Sequence, residues 1–401
     1  VRPERASQLY ARSGPLSGRA ESRTPSRRAF AVGGGVPHHG GSLARAPAPG
    51  HRRQETLAMT AARPKNYEWL AQTTEAPLEP ERPICDPHHH LWDLQEARLV
   101  PRYLLDEILV DTRAGHNIVS TVFIECGAMF RPDGPEAMRP VGETEFVNGI
   151  AAMSASGIYG KTRVAAGIVG TADLRLGAAV GAVLDAQIAA GGGRFRGIRR
   201  AGAWDADPAV PPHRTNPGQG LFARDDFRAG FAQLAPRRLT FEAWIYHRQI
   251  PDVTALAGAF PDTTIILNHF GGPLGVGPYA GRAEEVFTQW KASITELARC
   301  PNVVAKLGGI NMEMNGFGWH EKSRPPGSQE LAEATRRYYE FTIERFGAER
   351  CMFESNFPVD QASCGYTVLW NSFKRLAAGY SAKDKDALFH DTAARVYRLA
   401  A

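Results

Sequence analysis

The chain has 401 residues, 43% hydrophobic and 22% charged, the balance of a globular domain with a sizeable core. It has no run of about 18 apolar residues, which excludes a membrane-spanning helix. The net charge of +5 belongs to residues 1–58, which hold ten Arg, three Glu and no Lys, while the remaining 343 residues carry a net −2. That distribution excludes a basic nucleic-acid face on the folded body.

Residues 1–58 are rich in Arg, Pro and Gly and lack hydrophobic periodicity, so they are expected to be a disordered extension. Their Arg-rich, acid-poor composition also suits a transit peptide, but no amphipathic stripe supports one. Met59 opens a more ordinary stretch and is expected to be the true start, with upstream residues a mistranslated or vestigial extension. Residues 59–83 read as an extended lead-in. Cys85, Cys126, Cys300, Cys351 and Cys364 show no metal or disulfide spacing and read as reduced thiols of a cytoplasmic protein.

From residue 84 onward, short apolar runs alternate with segments of helical period, the pattern of repeated βα units. Eight strands are predicted: 84–88, Val119–Glu125, Arg163–Val169, Phe195–Arg199, Leu239–His247, Thr263–His269, Asn302–Leu307 and Arg350–Asn356. Helices are predicted between them, including Asp173–Ala190, Ala283–Arg299 and Ser328–Phe346, with Lys383–Leu399 closing the chain. Eight such units over residues 84–401 predict a (β/α)₈ TIM barrel, with a doubly wound sheet as the structural alternative.

Alternate strand residues share a face, so His88 and His90 are expected to point together at the C-terminal end of the first strand. Imidazoles there suit zinc or a similar divalent ion. The fifth and sixth predicted strands end in His247 and His269, which parity places on one face with Ala243 and Ile245, and with Ile265 and Leu267. Singly, each is as well explained as a satisfied strand-end histidine.

Ile84-Cys85-Asp86-Pro87-His88-His89-His90-Leu91-Trp92 resembles the first-strand signature of the amidohydrolase-related family, the amidohydrolase-2 group. Leu267–Pro273, Val304–Gly309 and Asp391–Tyr397 resemble its sixth strand, seventh strand and closing helix, in the family's order over roughly residues 84–399. The group includes sugar lactonases, pyrone-dicarboxylate hydrolases and decarboxylases. The resemblance implies His88, His90 and His269 as metal ligands and His247 near the substrate. It implies zinc or manganese as cofactor with no organic cofactor, although metal-independent members also exist.

At the eighth strand the family usually has Gly-Ser-Asp-Trp-Pro, whereas this chain has Glu354-Ser355-Asn356-Phe357-Pro358. Asn356 cannot take a proton from water as an Asp would. Glu354 on the same face, or Asp360 in the following loop, is the replacement base; alternatively Asn356 only orients a ligand. Phe195–Arg200 resembles a fourth-strand motif in which an arginine meets a carboxylate, with Arg199 facing inward. Lys306, a lone cation in an apolar run, serves the site or neutralises Glu354. The expected function is hydrolysis of a lactone or cyclic ester of a small acidic substrate. A metal-dependent decarboxylase and a non-catalytic metabolite-binding barrel are the alternatives.

Overall fold

In the computed structural model, residues 65–93 and 99–399 are described, so the 1–58 extension and the Met59 start lie outside the described residues. Eight parallel strands follow one another in chain order. They are β1 Pro83–His89, β2 Asn117–Ile124, β3 Arg163–Gly170, β4 Phe195–Ala201, β5 Thr240–Trp244, β6 Ile265–Leu267, β7 Val303–Leu307 and β8 Cys351–Phe353. Apart from the lead-in helix, the helices lie between or after the strands, the TIM barrel expected and not a doubly wound sheet.

The barrel closes between β8 and β1 through side chains as much as through a ladder. Asn356 N–H donates to His88 O at 2.9 Å and His90 N–H to Phe357 O at 2.8 Å. The buried Asp86 carboxylate accepts from Ser355 N–H at 3.0 Å and from the Tyr366 hydroxyl at 2.9 Å. Asp86 therefore ties the first strand to the segment carrying Glu354.

Two apolar layers flank the strands. Inside the barrel, Val122, Ile124, Val169, Ile266, Val304 and Met352 meet Val396 and Tyr397 of the C-terminal segment. Outside, Phe123, Ile198, Phe241, Ala243, Ile265 and Leu267 pack in the larger core cluster with the helices. This corrects the parity reading of β5 and β6. Ala243, Ile265 and Leu267 face outward, while Glu242 and Ile266 face the interior. Both strands end before their histidines: β5 stops at Trp244 and β6 at Leu267. The chain turns there, and His269 and Phe270 adopt left-handed φ of 52° and 57°, so alternation no longer counts through to the histidine.

Two helical predictions also change in detail. Asp173–Ala190 divides into a 3₁₀ segment Leu174–Ala179 and a helix Val180–Ala190, broken at Gly177 with φ 57°. Lys383–Leu399 divides into helices Ala382–Asp386 and Thr392–Val396 around a π turn Ala387–Asp391. Ser328–Phe346 forms as predicted.

The 59–83 segment is not wholly extended, since Lys65–Leu70 is helical. It is fastened to the loop and helices that follow β7 and β8. Trp69 Nε1 donates to Lys322 O at 3.0 Å, Glu75 accepts from Ser328 N–H at 2.7 Å, and Lys374 Nζ donates to Leu78 O and Glu79 O. Among the described residues no helix is long and apolar enough to cross a membrane.

Candidate metal centre

At the C-terminal end of the strands, His88, His269 and Glu354 bring ligand atoms within 4.8 Å of one another, all buried. Each comes from a different place in the sequence. His88 lies near the end of β1, His269 in the turn after β6, and Glu354 directly after β8. Glu354 Oε1 lies 2.7 Å from His269 Nδ1 and Oε2 lies 2.6 Å from His88 Nδ1. The first contact is a hydrogen bond. Oε2 makes none and is a buried carboxylate oxygen without a hydrogen-bond partner.

Glycines permit this approach. A Cβ on Gly309, at φ +65°, would sit 2.1 Å from His269 Nδ1, and one on Gly308 would sit 2.1 Å from Glu354 O. The Gly308-Gly309 pair is therefore a clearance for the cluster.

His88 is held neutral. Burial, then the positive charge of Lys306 and neighbouring imidazoles, holds its pKa well below the usual histidine value. A neutral imidazole has one lone pair, the one a metal would take; Arg199 Nη1 meets it at Nε2, so an ion bound there would displace that contact. Two imidazoles and a carboxylate with a hydrogen-bond-free oxygen match the donor preference of zinc or manganese. The residues present fit a divalent ion.

Two charged groups flank the cluster. Below it, the fully buried Lys306 Nζ lies 2.8 and 3.0 Å from the Glu242 oxygens, 3.4 Å from His88 Nδ1 and 4.0 Å from Glu354 Oε2. Tyr397 OH and Asn268 Nδ2 also donate to Glu242. Lys306 is thus paired chiefly with Glu242, and Glu354 is its more distant neighbour. Beside the cluster, Arg199 does face inward. Its Nη1 donates to His88 Nε2 at 3.2 Å and its Nε to Glu125 Oε1 at 2.9 Å. Burial pushes the Glu125 carboxyl up, but Arg214 and Arg199 outweigh it and hold the group at about 2.

His90 lies beside His88, ring centroids 5.0 Å apart, but outside the three-residue cluster. Its Nδ1–H donates to Ile124 O at 2.8 Å, which leaves the lone pair on Nε2. His247 begins the turn after β5, with Nδ1 accepting weakly from Leu274 N–H at 3.4 Å and its ring against Tyr279. It does not join the cluster.

Asn356, at φ 56°, donates from Nδ2 to Asp360 Oδ1 at 2.9 Å. Asp360 is fully buried. Burial first, and the Glu354 charge in addition, push its carboxyl up to about 8. The group therefore holds a proton at neutral pH, which suits an acid better than the base expected of it. Its folded pKa lies above the unfolded value, so the native state binds the extra proton and loses stability as pH rises from about 4 to about 8. Asp360→Asn mimics the protonated form. Urea unfolding at pH 6 and pH 8.5 is expected to show a smaller alkaline loss in the variant than in wild type; an equal loss would contradict the assignment.

Sequence reasoning passed over Glu242 and left Glu125 without a role. Glu242 carried a signal, a lone acid within an apolar strand, and its partner Lys306 was visible as a lone cation two strands later. Glu125 could be placed only once Arg199 and Arg214 were seen to converge on it.

A family model described as Amidohydrolase matches residues 85–399, and the chain belongs to this amidohydrolase-2 family. It is 33% identical over 335 residues to an uncharacterized protein of Sinorhizobium fredii, spanning 79% of this chain and 98% of that one. It is 29% identical over 175 residues to an L-fucono-1,5-lactonase of Burkholderia multivorans, 43% of this chain and 56% of the lactonase. An amidohydrolase of Burkholderia multivorans, crystallised once with HEPES and once with zinc, aligns with TM-score 0.61 at 25% and 24% identity. Each alignment spans 79% of this chain and 99% of that one.

Proposed function

We propose that this amidohydrolase-family protein is a metal-dependent hydrolase that opens a lactone or cyclic ester of a small carboxylated molecule. The observation that carries the reading is the buried cluster of His88, His269 and Glu354 at the C-terminal end of the barrel. The partial likeness to an L-fucono-1,5-lactonase favours a lactone over other esters.

His88, His269 and Glu354 would hold a divalent ion, which would supply Lewis acidity and a water of lowered pKa. The chain's own groups supply the rest. Glu354 Oε2, which makes no hydrogen bond, is the oxygen available to meet the cation or a proton. Arg199 flanks His88 at Nε2, and Glu125 fixes Arg199. Asp360 is held by Asn356 with its proton on, and donates it to the ring oxygen that leaves.

The test is a panel of five- and six-membered lactones and pyrones, with and without a carboxylate, assayed on protein loaded with zinc or manganese. Ring opening, read as acid release, is expected for a carboxylated lactone. No turnover of any member would remove the reading.

A further inference from the structure

Two arginines at the top of the barrel share one carboxylate unequally. Arg199 is engaged through all three of its nitrogens. Its Nε and Nη2 donate to Glu125 Oε1 and to Glu125 O, and its Nη1 to His88 Nε2. Arg214, in the loop after β4, reaches Glu125 Oε2 from the other side through Nη2 alone. Its side chain is 34% exposed, against 7% for Arg199. Among the described residues no acceptor meets its Nε or Nη1. Gly127, at φ +77°, makes the space. A Cβ there would sit 2.7 Å from Arg214 Nη1.

The charges are uneven too. One Glu125 carboxylate faces two guanidiniums, and the next acid, Glu143, also acts on Arg214 but spends its Oε1 on the Cys126 and Ala128 amides. Burial, then the Glu125 charge, push Glu143 up to about 7, so it offsets only part of the surplus. An arginine anchored at one nitrogen, with spare donors and only partly compensated charge, can receive an anion. Arg199, with a bond already on each of its three nitrogens and its side chain only 7% exposed, has far less to offer.

Resting on the hydrolase reading above, we infer that Arg214, not Arg199, is the residue that binds the substrate's carboxylate. Glu125 positions it, and the same carboxylate holds Arg199 on His88, so substrate recognition and the metal cluster are joined through one side chain. Specificity for an acid then resides in the loop after β4, while the fourth strand serves the cluster.

The test compares Arg214→Gln, Arg214→Lys and wild type on a lactone bearing a carboxylate and on its neutral amide. Losing a charge-assisted contact is expected to raise KM for the acid about 10–100-fold more than for the amide in Arg214→Gln. Arg214→Lys keeps a cation beside Glu125 and is expected to recover part of that difference. Calorimetric binding of glutarate against glutaramide gives a second readout that needs no turnover. Wild type that opens no lactone, yet prefers glutarate and loses that preference in Arg214→Gln, would sink the hydrolase reading and uphold the carboxylate site. Equal KM changes for acid and amide, or glutarate binding unaltered in Arg214→Gln, would overturn the assignment. Should Arg214→Gln fail to fold, the acid-to-amide ratio in Arg214→Lys decides: an unchanged ratio overturns it.

Discussion

Glu354→Gln is expected to lower turnover about 10²–10⁴-fold while leaving the barrel folded. The carboxylate touches the Nδ1 atoms of both His88 and His269, at 2.6 and 2.7 Å, so its two oxygens do different work in one place. Glutamine matches its volume but offers one acceptor oxygen, and its amide N–H₂ would face an imidazole Nδ1. The replacement therefore removes the charge that suits a cation and one of the two acceptors, with no cavity left behind. Steady-state kinetics alongside urea unfolding checks both halves. Turnover within about threefold of wild type would take Glu354 out of the mechanism.

The largest stability effect is expected at Lys306. Lys306→Met leaves Glu242 buried with only Tyr397 and Asn268 as donors, and brings no positive charge near Glu354. Breaking one side of a buried ion pair costs about 3–5 kcal/mol, because the remaining charge stays desolvated. Removing both members in Lys306→Met with Glu242→Gln is expected to recover much of that loss, since no unpaired charge remains. Urea unfolding of the two variants measures it. A single variant within about 1 kcal/mol of wild type would show that the pair does not hold the barrel interior together.

Much of this architecture was legible in the residues. The eight short apolar runs matched the eight strands, and the helix Ser328–Phe346, which stops before Gly347, formed over the residues predicted. The first strand carried His88 in plain view, and the resemblance in Leu267–Pro273 carried His269. What failed was counting alternation through the end of a strand. Alternation describes extended backbone, and at His269 and Asn356 the backbone is left-handed. For that reason His247 and His269, equivalent in the sequence as terminal histidines, separate in the fold: one enters the cluster and the other packs on Tyr279. His90, beside His88 as parity expected, donates its Nδ1–H to Ile124 O and lies outside the three-residue cluster. Long-range charge pairing was the other gap. Lys306 was visible as a buried cation, but nothing local joins it to Glu242, 64 residues away, or joins Glu125 to Arg214, 89 residues away.

The metal content of the protein after dialysis against zinc or manganese, and then against metal-free buffer, tests the cluster most directly. One ion per chain in wild type, lost in Glu354→Gln at unchanged fold, is the expected result. No ion above background in wild type, or the same stoichiometry in both proteins, would contradict a metal centre built from His88, His269 and Glu354.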